Sequence, residues 1–130
     1  MRWDDMKTLL PHLVGDYLLQ SHWEATEKTK KWVPAIAHGM TYALPFLALT
    51  RSPKALAVIA GTHIIIDHYR LARHVSWLKN QIGPIDTRPG WSDTVTGYSK
   101  DVPDWMATWL MIITDNTMHS LINEWAVRKL

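Results

Sequence analysis

The sequence predicts an all-α fold, a bundle of four main helices with a long Gly- and Pro-containing loop before the last one. Three observations carry that expectation. Apolar residues recur at helical spacing near both ends of the chain, two charge-poor apolar runs fill its middle, and turn signals concentrate in the connections between them. A chain of 130 residues with no shift in composition reads as one domain, residues 1–130.

Asp4 or Asp5 can cap a first helix, in which Met6, Leu9, Leu10, Leu13, Tyr17 and Leu18 share a face and which the pattern carries to about Trp23. The polar stretch Glu24 to Lys31 follows, with Lys28, Lys30 and Lys31 clustered. It reads as a solvated helix end, with a phosphate-binding patch as the alternative. From Trp32 to Thr50 the only ionisable side chains are His38 and Tyr42, and the run is almost long enough to cross a bilayer, although Pro34 and Pro45 bend or bound it. After the turn signal Arg51-Ser52-Pro53-Lys54, the apolar run Ala55 to Ile66 leads into the charged segment His68 to Lys79. The two runs fit a helical hairpin, either dipping into a membrane or buried at the centre of a bundle. Residues 80–104, with Gly83-Pro84 and Pro89-Gly90, form the long loop, and loops of this length often serve as lids or binding loops. Pro103 starts the last helix, in which Trp109, Ile112, Ile113, Leu121 and Trp125 supply apolar faces.

Composition narrows the chemistry. No cysteine is present, so thiolate metal sites, disulfides and cysteine nucleophiles are excluded, and nitrogen and oxygen remain as the strong ligands. Fourteen basic against twelve acidic residues is too even a balance for specific nucleic-acid binding. Eight tryptophans fit either a membrane interface or a Trp-rich core. Met1 to Lys7 shows no secretory pattern, which predicts a cytoplasmic start.

The chemistry lies in a repeated spacing. His12 and Asp16, His63 and Asp67, and Asp115 and His119 stand four apart, so each pair shares one helix face a turn apart. Each pair sits in an apolar helix, where an ionised aspartate needs a cation or several donors. His38 is a fourth imidazole, alone between Pro34 and Pro45. With these faces inward, four imidazoles and three carboxylates converge, as in carboxylate-bridged metal bundles. Seven ligands exceed one tetrahedral ion and suggest two divalent ions sharing an aspartate. Their four positive charges are met by three aspartates and one bridging hydroxide. The ligand set favours zinc, manganese or iron. The competing expectation is a metal-free network in which each aspartate holds a histidine tautomer, or a transmembrane bundle relaying protons.

Around these, Gln20 lies two turns beyond His12 and Tyr42 one turn beyond His38, as candidates to bond a ligand or substrate. Arg70, seven after His63, can anchor a phosphate or simply face water. Glu24 and Asp86 are candidates for moving a proton. His22, His68 and His74 read as surface residues.

The stretch LPHLVGDYLLQ, Leu10 to Gln20, resembles the opening motif of an uncharacterised family of small bacterial and phage proteins, generally expected to be membrane-associated and of unknown function. The resemblance continues through Lys28 or Lys30, His38, His63-x-x-x-Asp67 and Thr96-Gly97-Tyr98. It ends in WLMIITDNTMHSLI, similar to a closing Asp-Asn/Gln-x-x-His element that adds Asn116. Arg70 stands where the resemblance implies a lysine. A looser similarity, to small inner-membrane proteins described as metal-dependent hydrolases, rests on the same His-x-x-x-Asp pairs. These readings lead to a metal-dependent hydrolase of a phosphoester-type lipid or nucleotide, at the cytoplasmic face of a membrane, in the host cell for a phage protein. Its partners would be that membrane or an anionic small molecule. The alternative is a membrane-associated binding protein, with an anti-defence or exclusion role and a structural metal.

Overall fold

A computed structural model describes residues 6–130, so the Asp4 or Asp5 cap lies outside the described residues. Six α-helices and no strand occur among the described residues: α1 (Leu9–Leu13), α2 (His22–Glu27), α3 (Trp32–Ala43), α4 (Pro53–His68), α5 (Leu71–Lys79) and α6 (Asp104–Lys129). The chain divides into two compact units, residues 1–69 with 119–130, and residues 70–118.

In the first unit, α1 does not run on to Trp23. It opens into a π-helical turn at Val14–Leu18, closed by Leu19 N–H to the Val14 carbonyl at 3.0 Å. Ser21 then starts a new helix with a reciprocal cap: its Oγ accepts from Glu24 N–H, and the Glu24 carboxylate accepts from Ser21 N–H. Glu24 also accepts from Thr41 Oγ1 at 3.4 Å, so this acid is buried and committed to holding α2.

The Trp32 to Thr50 run breaks at Ala43 into a 3-10 turn, Leu44–Ala48, around Pro45. No helix among the described residues is long and apolar enough to cross a membrane. Helices α3 and α4 pack together, the buried-hairpin alternative of the sequence. Gly39 permits their close approach, since a Cβ there would lie 2.2 Å from Ile64 Cγ1 and 3.2 Å from the Ala60 carbonyl oxygen. Tyr42, Phe46, Ile59 and Ala126 form the apolar core, flanked by Leu49, Leu56, Val58 and Val127. Ser52 caps α4 by accepting from Ala55 N–H, with Pro53 as the first helical residue.

The second unit comprises α5, the long loop and the first part of α6. Arg70 precedes α5 in the left-handed conformation, φ 49°, uncommon for a residue with a side chain. The loop is tied to α5: Arg73 donates to the Trp91 and Thr94 carbonyls and stacks on Trp91, Trp77 donates to Pro89, and Asn80 donates to Gly97.

Among the described residues, no tryptophan belongs to the buried core. Trp23, Trp32, Trp91, Trp105, Trp109 and Trp125 are 41–66 % exposed, and Ile113 and Leu121 are also exposed.

Candidate metal centre

Helix α1, the π-helical turn, α3, α4 and the end of α6 in the first unit bring His12, Asp16, His38, His63, Asp67 and His119 together. His12, His38, His63 and His119 are at most 1 % exposed, so these imidazoles sit in a dry interior. The π-helical turn carries Asp16 there. It packs on α3 so tightly that a Cβ on Gly15 would lie 2.6 Å from Tyr42 Cδ2 and 3.0 Å from the Tyr42 carbonyl oxygen. Such turns often occur at functional sites.

Asp16, His38 and His63 form one group that can hold a metal ion, and His63, Asp67 and His119 form a second. Asp16 Oδ1 lies 3.2 Å from His38 Nε2 and 3.3 Å from His63 Nε2. Asp67 Oδ2 lies 3.4 Å and 3.2 Å from the same two nitrogens, which are 2.8 Å from each other. Ligand atoms around a tetrahedral ion with bonds of about 2.0–2.1 Å stand about 3.3–3.4 Å apart. The four carboxylate–imidazole separations match that edge within about 0.2 Å, while the two imidazole nitrogens stand closer. Each Nε2 can carry a single proton. Two protons cannot make hydrogen bonds across five close approaches, whereas a cation in either three-residue group meets its ligand atoms together.

Asp67 presents its other oxygen elsewhere: Oδ1 is 3.1 Å from His119 Nε2, and the Nδ1 atoms of His63 and His119 are 3.2 Å apart. His12 is in neither ligand group. Its Nδ1 is 2.6 Å from Tyr42 Oη and 3.6 Å from Asp16 Oδ2. Tyr42 also accepts from Asn123 Nδ2 at 2.6 Å and stacks on His63 at 3.6 Å. The tyrosine therefore orients two imidazoles, and Asn123, one turn beyond His119, fixes the tyrosine.

Lys28 is not part of a solvated patch. Its Nζ is 2.5 Å from Asp67 Oδ2 and its side chain only 19 % exposed, while Lys30 and Lys31 point outward and pair with Glu27. Gln20, with its amide oriented to satisfy both ends, accepts from Lys28 Nζ at 2.7 Å and donates to the Asp16 carbonyl at 3.3 Å. His68, read as a surface residue, is half-buried. It bonds the Lys28 carbonyl at 2.8 Å and stacks on Trp32. Asp115, Asn116, Arg70 and Asp86 belong to the second unit, and Asp115 is in neither ligand group.

Electrostatics favour ionised carboxylates. Burial alone would raise the pKa of Asp16, but hydrogen bonds from His38 and His63 and attraction to His63 outweigh it and hold the carboxyl below the usual range. Burial opposes ionisation of Asp67 more strongly still, yet the His63 charge and bonds to His119, His38 and His63 keep its pKa well below the ordinary value. For His38 burial works against protonation, and bonding to Asp16 and Asp67 prevails, raising its pKa. His38 Nδ1 is buried and makes no hydrogen bond among the described residues, so Nε2 carries all of this residue's polar contacts.

A family model described as Protein of unknown function (DUF3307) matches residues 6–84. The chain belongs to that family. The matched residues include His12, Asp16, Lys28, His38, His63 and Asp67, and His119 lies beyond them. No curated protein and no solved structure matches the chain.

Proposed function

We propose that this DUF3307 protein is a metal-dependent hydrolase of a phosphoester-type lipid or nucleotide, with two divalent ions held by buried histidines and aspartates. The observation that carries the reading is the pair of adjoining buried groups, Asp16 with His38 and His63, and Asp67 with His63 and His119, whose carboxylate–imidazole separations of 3.1–3.4 Å suit metal ligands. Asp16, His38 and His63 would hold one ion, and Asp67 and His119, 3.1 Å apart, would hold the second beside His63. Asp16 and Asp67 together neutralise one divalent ion. Zinc, manganese and iron suit this ligand set.

Bound here, such ions supply Lewis-acid polarisation and acidify water. The chain's own residues do the rest. His12 and Tyr42 hold the ring geometry, the buried imidazoles exclude bulk water, and the edge formed by Asp16, Gln20 and Lys28 is the side that reaches solvent, Asp16 being 10 % exposed. A membrane setting, at the cytoplasmic face, is supported by the exposed apolar stripe Val33, Ile36, Met40, Leu44 and Leu47 and by outward Lys30 and Lys31 at its start.

The test is a panel of phosphomonoesters, phosphodiesters and phospholipids with metal-loaded protein and its Asp16→Asn variant. Hydrolysis lost in the variant supports the reading; metal-loaded parent inert across the panel contradicts it. A second reading, a binding protein with a structural metal, is favoured by the near-complete burial of the four imidazoles. In that case Asp67→Ala abolishes folding rather than an activity.

A further inference from the structure

Lys28 is held in a way that the metal reading leaves unexplained. Its backbone is fixed by two bonds, N–H to the Glu24 carbonyl at 3.0 Å and C=O to His68 Nδ1 at 2.8 Å. Its ammonium lies 2.5 Å from Asp67 Oδ2, the same oxygen that faces His38 Nε2 at 3.4 Å and His63 Nε2 at 3.2 Å. Gln20 holds the ammonium from the other side at 2.7 Å. A unit positive charge thus sits on the carboxylate that, with His63 and His119, would receive an ion.

We propose that Lys28 is the built-in counter-ion of the metal-free centre, displaced from Asp67 when a divalent ion binds and thereby made available as the arm that takes an oxyanion beside the ion. This rests on the metal-centre reading. The physical argument is charge. In the metal-free interior an ionised Asp67, 4 % exposed, needs a cation, and Lys28 provides it. A divalent ion on the same carboxylate repels the ammonium at a separation of a few ångströms, in surroundings that screen poorly. Lys28 has a way out because its side chain already reaches solvent, and a lysine can keep its stem packed while its head moves to water. An ammonium freed at the rim of a cationic centre suits a tetrahedral oxyanion such as a phosphoryl group. Gln20 completes the device, holding Lys28 inward before loading.

The experiment measures zinc affinity by chelator competition in the parent, in Lys28→Gln and Lys28→Met, and in Lys28→Arg as the charge-retaining control. Binding of inorganic phosphate to each loaded protein is then measured by calorimetry. If a neutral variant does not fold without metal, it is refolded with zinc, and the same competition reads its affinity. The expected result is zinc binding tightened about tenfold or more in the neutral variants and little changed in Lys28→Arg, with phosphate binding by the loaded neutral variants weakened about tenfold. Zinc bound by the parent but equally or less tightly by the neutral variants overturns the displacement while leaving the metal centre standing. Tighter zinc with unchanged phosphate binding overturns the anion arm. A parent that binds no zinc overturns both the inference and the centre.

Discussion

Replacing Asp67 by asparagine in the metal-free protein, alone and together with Lys28→Met, measures the Lys28 pairing apart from the contacts of Asp67 with His38, His63 and His119. The substitution keeps shape and removes one charge, leaving the Lys28 ammonium beside a neutral amide 2.5 Å away in a site where the aspartate side chain is 4 % exposed. Losing one partner of a buried ion pair costs about 3–5 kcal/mol. Lys28 is 19 % exposed and can turn toward water, which places the loss near the lower end, about 3 kcal/mol. Against a total stability of about 5–15 kcal/mol the variant stays folded but melts some 10 °C lower. Urea denaturation with a chelator present, followed by circular dichroism, gives the difference. The double variant Lys28→Met, Asp67→Asn should recover most of the loss, because it removes both charges together. A single Asp67→Asn variant within about 0.5 kcal/mol of the parent would refute the buried-pair argument.

Tyr42→Phe deletes the hydroxyl shared by His12 and Asn123, and leaves both without that partner. A loss of about 1–3 kcal/mol in urea denaturation is expected, together with weaker metal binding. Gly15→Ala forces a methyl against Tyr42, and should cost about 1–3 kcal/mol and displace Asp16, lowering zinc affinity in chelator competition. The pH dependence has two opposing parts. With its folded pKa raised above 6.5, His38 stabilises the metal-free protein below that pH, and the contribution fades as pH rises through the raised value. Asp16 and Asp67, with folded pKa values below the ordinary 3.8, contribute above that pH and lose their effect as pH falls through the lowered values. Metal-free protein should therefore lose stability as pH rises from about 6.5 through the raised His38 value, while the stabilisation added by zinc grows, since bound imidazoles must be neutral. Thermal melts with chelator and with zinc read both trends. For the membrane setting, Met40→Glu should reduce flotation with anionic vesicles.

The helical fold was legible because periodicity and turn signals survive in single residues, and the spacing of His12 with Asp16 and His63 with Asp67 placed most of the centre. Other parts were hidden for physical reasons. A π turn adds a residue per turn, so the repeat that identified the first helix conceals the widening at Val14–Leu18. The capping signal Ser21-His22-Trp23-Glu24 was present, but the apolar pattern running through Trp23 obscured it. Which lysine of a charged cluster turns inward depends on where α2 ends, so Lys28 read like Lys30 and Lys31. Asn123 had a signal in its spacing, four residues after His119, although its partner Tyr42 is remote in sequence. The left-handed Arg70 had none, since nothing in an arginine favours that conformation.

Elemental analysis of protein purified without added metal decides whether the two buried groups, Asp16 with His38 and His63 and Asp67 with His63 and His119, hold metal. His63 belongs to both ligand groups. Stoichiometric zinc, manganese or iron is expected in the parent, and its loss in a folded His63→Ala variant. A folded parent that carries no metal and takes up none would contradict the metal centre.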